Sequence, residues 1–141
     1  NVINTKRGGK ITVHNPGQKI IYLVINLNKR KKDIRKFINV IEKTIIEFLG
    51  SCQVRGETDK ENIGIWVKDK KIAAIGLRVT KWIAYHGFSI NINNNLSNYN
   101  KIIPCGLSNN KITSVVKEKG KIPLNIEEKI KDIFLRNLSK I

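Results

Sequence analysis

Apolar residues recur along this chain in two rhythms, and the changes of rhythm lay out its elements. From Lys19 to Leu27 the run KIIYLVINL is almost continuous in Ile, Leu, Val and Tyr, which predicts a buried strand. After the basic cluster Lys29-Arg30-Lys31-Lys32, the residues Ile34, Phe37, Ile38, Ile41, Ile45, Phe48 and Leu49 recur at three- and four-residue steps. That spacing puts them on one face of a helix over about Asp33 to Leu49, a core-facing stripe, with Gly50 placed to stop it. The polar stretch Gln53 to Asn62 carries charges of both signs and predicts a surface loop able to move over a site.

From Ile63 to Ile92 the pattern is β throughout: Gly64 to Val67, a tight turn at Lys68-Asp69-Lys70, Lys71 to Val79, then Trp82 to Ile92. Asn-rich connecting chain follows from Asn93 to Asn100, and a short extended piece is expected at Lys111 to Val116. The last helix is predicted to open on Asn125 as N-cap, with Glu128 three positions later approximating a capping box. Its apolar face is Ile126, Ile130, Ile133, Phe134 and Leu138. Sequential strands flanked by helices predict an α+β fold, a mixed, largely antiparallel sheet with helices packed on one face.

Composition narrows the class without choosing a function. A chain of 141 residues is one domain by size, and no apolar run approaches the roughly 20 residues of a bilayer span. Nothing in the polar, Gly-rich first residues resembles a secretory leader. Cys52 and Cys105 lie in unrelated contexts without a disulfide framework, so a reducing, cytoplasmic setting is expected. The net charge of +16 points to a solvated lysine-rich surface, an acidic protein partner or nucleic acid. At 6% aromatic content and without an RNP-like or KH-like motif, nucleic acid is the weaker of these and is not expected.

Three islands carry candidate chemistry. Arg7-Gly8-Gly9-Lys10-Ile11-Thr12-Val13-His14-Asn15-Pro16-Gly17-Gln18 combines three glycines, a proline and a histidine in a way packing alone does not require. Lys71-Ile72-Ala73-Ala74-Ile75-Gly76 sets a lysine at the head of an apolar strand, and Ile103-Pro104-Cys105-Gly106 sets a cysteine in a turn. Cys105 is thus a candidate nucleophile and Lys71 its proton partner, against the plainer readings of a small buried hydrophobe and a hairpin-end surface charge. A thiol of reference pKa about 8.5 needs activation at neutral pH. Lowering that pKa by about two units takes roughly 2.7 kcal/mol, while one ammonium about 4 Å away supplies roughly 4 kcal/mol before desolvation. The backbone amides of Cys105 and Gly106 are candidate oxyanion donors. His14 and His86, the only histidines, are expected to orient loops rather than to move protons. A zinc site is disfavoured because His14, Cys52, His86 and Cys105 show no paired-ligand spacing, and no metal or other cofactor is expected.

The strings RGGKITVHNPGQ, KIAAIG, YHGFSINI and IIPCG, in this order, resemble the lipoyl(octanoyl) transferases of lipoate biosynthesis, relatives of the biotin and lipoate protein ligases. The resemblance implies a biotin/lipoate protein ligase-like sheet scaffold and transfer of an octanoyl group from octanoyl-acyl carrier protein to a lysine of lipoyl domains. The acceptors it implies are the lipoyl domains of 2-oxoacid dehydrogenases and the glycine cleavage H protein. It implies an acyl-enzyme on Cys105 with Lys71 as dyad partner. For substrate binding it implies Arg7, Gly8, Gly9, His14, Gly17, Gln18, Ile75, Gly76, His86, Gly87 and Gly106, with Arg7, Gly8 and Gly9 shaping the mouth and floor of the acyl pocket. An ATP-dependent lipoate protein ligase shares the glycine, histidine and KIA features, but an adenylate route needs no thiol at Cys105. Family members carry a further strand and helix region before the RGG motif. This chain starts six residues ahead of that motif and has no methionine, so a single, N-terminally truncated transferase-like domain over 1–141 is expected.

Overall fold

The computed structural model describes residue 4 and residues 14–96 and 111–141. Within them Gln18–Asn26 (β1), Ile34–Ser51 (α1), Ile65–Val67 (β2), Lys70–Thr80 (β3), Ile83–Asn91 (β4) and Ile126–Leu138 (α2) follow in sequence. The strands form one sheet in the order β1-β4-β3-β2, every pair antiparallel, so the two long strands that the β pattern predicts lie at its centre. Register runs unbroken from Gln18↔Asn91 to Asn26↔Ile83, and from Ala73↔Ile90 to Thr80↔Ile83. Strand alternation sends Ile21 and Leu23, Ala73, and Phe88 and Ile90 into one core with the helix residues Phe37, Ile41, Ile45, Phe48, Ile130 and Phe134. The opposite sheet face carries Ile20, Tyr22 and Val24, all exposed, alongside Gly76 and Gly87, which pair across β3 and β4.

Helix α1 begins where the spacing predicts it, with the Asp33 carboxylate accepting from the Lys36 N–H at 3.1 Å. Gly50 does not stop it. The helix runs through Ser51, and Gln53 takes the left-handed position at φ +61°. The Gln53 N–H then bonds Gly50 O at 3.0 Å and the Val54 N–H bonds Leu49 O at 2.9 Å, the paired closure of a Schellman end. Val54 and Leu49, both buried, make the apolar contact usual for that motif, which removes the need for glycine as terminator. The buried stripe is also rotated from the predicted one: Val40 and Thr44 face inward while Ile34 is exposed. Thr44 can be buried because its hydroxyl donates to Val40 O at 2.7 Å and accepts from Asn137 of α2 at 3.3 Å.

Two further expectations need correction. The capping box of α2 does not form, because Asn125 sits at φ 56°, ψ 52° and makes no side-chain cap. In that left-handed conformation its backbone carbonyl still opens the helix by accepting from Lys129, and Glu127 and Glu128 meet the helix dipole. Trp82 belongs to the turn rather than to β4. Lys81 and Trp82 both adopt positive φ, 51° and 65°, as a two-residue hairpin between Thr80 and Ile83 demands. The predicted loop Gln53 to Asn62 is a loop and extends through Ile63 and Gly64, from which the first β segment was expected, and the Glu57↔Trp66 bridge ties it down. Lys111 to Val116 likewise lies along the sheet, Ile112 pairing in parallel with Lys71.

Two glycines separate local from tertiary constraint. A Cβ on Gly87 would stand 1.9 Å from Ile21 O, main chain against main chain, whereas a Cβ on Gly50 meets nothing within 4 Å. Gly87→Ala is expected to pry β1 from β4 and destabilise the fold by about 3 kcal/mol. Gly50→Ala is expected to stabilise it by about 0.5–1 kcal/mol through helix entropy. Equilibrium urea unfolding of the two variants beside the parent checks both signs.

Candidate active site

Lys71 enters β3 as its second residue and is 6% exposed, so a flexible cationic side chain is held almost wholly inside the protein. Its strand neighbours are Trp66 of β2 on one side and Ile112 on the other, and its carbonyl accepts from the Thr113 N–H at 2.9 Å. The amine lies 5.6 Å from the centre of the Trp66 ring, within cation–π range. Gly64, at φ +142°, makes room for it. A Cβ there would sit 2.7 Å from Lys71 Cε and 3.4 Å from Nζ. Among the described residues the amine forms no ion pair and no hydrogen bond. Burying a lysine amine is costly, so its placement makes Lys71 a candidate for a chemical role.

A polar chain runs from the Gly17 turn to this lysine. His14 Nδ1 and Gln18 Oε1 are 2.7 Å apart, Gln18 Nε2 donates to Asn91 Oδ1 at 2.8 Å, and Asn91 Nδ2 donates to Thr113 O at 3.0 Å. Thr113 in turn bonds Lys71 through the backbone, so three segments distant in sequence meet at one end of the sheet. The Gly17 turn fits there only without a side chain: at φ +88° its Cβ would approach Asn93 Oδ1 to 2.5 Å and Asn94 N to 2.8 Å. The buried Oδ1 atoms of Asn15 and Asn94 and the Nε1 of Trp66 lack hydrogen-bond partners at this same end. Asn91, Thr113, Trp66 and Gly64 were not singled out from the sequence. The one signal for Asn91 was a polar residue closing the apolar strand run FSIN.

The remaining predicted residues are distributed as follows. Lys71, Gln18 and Gly17 share the sheet end, with His14 exposed beside Gln18. Gly76 and Gly87 pair side by side further along β3 and β4, leaving a strip of sheet bare of side chains. Ile75 packs partly buried against the core, on the opposite face from Gly76, so only its backbone is available to that strip. His86 stands opposite Leu77, six residues along β3 from Lys71 and hence roughly 20 Å away at strand rise. It takes a left-handed φ of 68° within the strand, its ring 5.0 Å from that of Tyr85, so the structure does not bring it to the lysine. Arg7, Gly8, Gly9, Cys105 and Gly106 lie outside the described residues.

Of the two cysteines, Cys52 is fully buried at the C-cap of α1, and burial pushes its thiol pKa up despite a hydrogen bond with Ser51. Such a thiol is a poor nucleophile and packs as a small hydrophobe. Among the described residues no three His, Cys, Asp or Glu side chains cluster as metal ligands, and no helix is long and apolar enough to cross a membrane. What the sheet end offers instead is a buried amine with no ion pair among the described residues. It is suited to hold an adjacent anion or to exchange a proton with a reacting group.

Comparison with known proteins bears on the family and the fold. The sequence is 45% identical to a Bartonella tribocorum protein named octanoyltransferase, over 80% of this chain and 51% of the relative. To a Wolbachia pipientis octanoyltransferase it is 44% identical, over 99% of this chain and 69% of the relative. The chain thus spans about half the length of the first of these relatives and about two thirds of the second. Its fold superposes on a lipoate-protein ligase A bound with ATP at a TM-score of 0.73, with 12% identity, covering 96% of this chain and 56% of that one. Residues 1–138 match the lipoyl protein ligase A/B catalytic domain, so the chain belongs to that family.

Proposed function

We propose that this protein is a lipoyl(octanoyl) transferase that moves an octanoyl group from the thioester of acyl carrier protein, through an acyl-enzyme on Cys105, to a lysine of lipoyl domains. The observation that carries this reading is the buried amine of Lys71, which meets no anion among the described residues, in a chain similar over nearly all its length to a protein named octanoyltransferase. Cys105 lies seven positions before Ile112, which pairs with Lys71, and a run of that length spans at most about 25 Å. An approach of the sulfur to the amine therefore needs only this short stretch of chain.

The two half-reactions balance on one proton. Lys71 as ammonium favours the Cys105 thiolate, which attacks the thioester carbonyl. The bond to the carrier sulfur breaks and the departing thiolate takes its proton from Lys71, leaving an octanoyl thioester on Cys105. In the second half the acceptor amine attacks that thioester and gives a proton to the now neutral Lys71. Cys105 leaves as thiolate, and the starting state returns. The polar chain His14–Gln18–Asn91–Thr113 positions the lysine strand, and the bare strip at Gly76 and Gly87 suits an apolar acyl tail. The acceptors are the lipoyl domains of 2-oxoacid dehydrogenases and of the glycine cleavage H protein, in a cytoplasmic setting.

The rival is an ATP-dependent lipoate protein ligase of the same family, and intact-protein mass spectrometry separates the two. Incubation with octanoyl-acyl carrier protein without ATP should add one octanoyl group, and Cys105→Ser should abolish the adduct. Lys71→Ala should slow its formation by about 10²–10⁴-fold, the usual contribution of a positioned acid–base group. Octanoylation that requires ATP and persists in Cys105→Ser would hand the protein to the ligase reading.

A further inference from the structure

The segment between Val116 and Leu124 shows three aliphatic side chains to solvent: Leu124 is 90% exposed, Val116 50% and Ile122 43%. Single exposed apolar residues are ordinary, but here three exposed aliphatic side chains fall within nine positions, alternating in the sequence with the exposed Lys117, Lys119 and Lys121. The one acid among them, Glu118, is turned inward and accepts from the Thr113 hydroxyl, so the lysines are not neutralised locally. The segment is held in place at both ends. The N–H groups of Val115 and Val116 bond Asn91 O and Ile92 O at 3.0 Å each, Lys121 N–H bonds Cys52 O at 2.8 Å, and Glu127 pairs with Lys19 of β1. It therefore forms a fixed lip along the same end of the sheet as Lys71, Asn91 and Gln18.

We propose that this lip is the docking surface for the acidic carrier protein that donates the acyl thioester, an assignment that rests on the transferase reading and adds the donor's footprint to it. Charge complementarity selects an acidic protein, and the three aliphatic side chains give it an apolar centre to seat against. Reach selects the donor over the acceptor. The lip leads away from Lys71 towards α2, and a thioester at the tip of a carrier's long flexible prosthetic arm bridges such an offset, whereas an acceptor lysine must be brought directly over the site.

The test uses Leu124→Ser and the triple reversal Lys117→Glu, Lys119→Glu, Lys121→Glu, all at exposed positions. Three readouts are compared: acylation by octanoyl-acyl carrier protein, acylation by octanoyl-coenzyme A, and transfer from preformed acyl-enzyme to a lipoyl domain. Each variant should raise the KM for the carrier by about tenfold or more, in line with loss of an interface anchor or of steering charge. Acylation by the small thioester and transfer to the lipoyl domain should stay within about twofold of the parent. Titration of the unacylated carrier, read by NMR shifts, should show the same loss of affinity, and salt should weaken parental binding. An unchanged carrier KM and affinity overturns the proposal. So does an effect confined to lipoyl-domain transfer, or an equal loss with the coenzyme A thioester. Parental protein that binds carrier through this lip but accepts no acyl group from either donor would leave the docking surface standing and remove the transferase reading.

Discussion

One placement organises the described structure: the amine of Lys71 is buried beside Trp66, and among the described residues no anion meets it. Burying a lysine amine costs desolvation and side-chain freedom that one ring contact 5.6 Å away does not return. Local contacts therefore do not explain the placement, and the surrounding framework must impose it. It does so from both sides of the strand, with Trp66 across one edge and Thr113 bonding the backbone across the other. Gly64 contributes by absence, since any side chain there would occupy the volume of the lysine methylenes.

The central strands supply the stiffness this requires. Nine unbroken cross-strand pairs join β1 to β4 and eight join β4 to β3, and the ladder ends at Gln18, Asn91 and Ala73. Beyond that end the side chain of Asn91 takes over from the backbone ladder. It accepts from Gln18 and Asn94 and donates to the Thr113 carbonyl, which carries the connection across to the lysine strand. Buried polar networks of this kind specify geometry more than they add stability. A slip of one residue in β4 would turn Asn91 to the opposite face and sever every one of these links.

The elements were legible where the pattern was periodic, in the helices and the central strands, whereas the near-continuous apolar run of β1 predicted a buried strand and the structure makes it an edge strand with Ile20, Tyr22 and Val24 exposed on one face. Legibility failed where a residue took an uncharacteristic backbone conformation. Gln53, Trp82 and Asn125 all adopt positive φ, and each displaced a boundary or a cap that residue preference had assigned elsewhere. At the site, Lys71 was visible from its place at the head of an apolar strand. Its neighbours were not, because Trp66, Asn91 and Thr113 reach it through pairing across β2, β4 and the 111–116 segment, information that no local window contains. His86 was the converse. Its sequence context grouped it with the other site residues, but strand register places it far along the sheet from the lysine.

An amine that is to serve both directions of a proton exchange faces opposing demands. Too much water screens it from a neighbouring thiolate, and complete enclosure denies it the donor and acceptor groups. A position near the end of a strand suits both, since pairing with Trp66 and with the 112–113 segment flanks it while it lies next to the first residue of β3. The 6% exposure of Lys71 fits that compromise, as does its place one residue inside β3 rather than at the strand centre. A lysine at Gly76, five residues further along, would be pinned among paired main chain on both sides and would give up access for dryness. Flanked by paired backbone on both edges and set one residue inside its strand, Lys71 combines burial with a place at the end of the element, the combination the proposed proton exchange calls for.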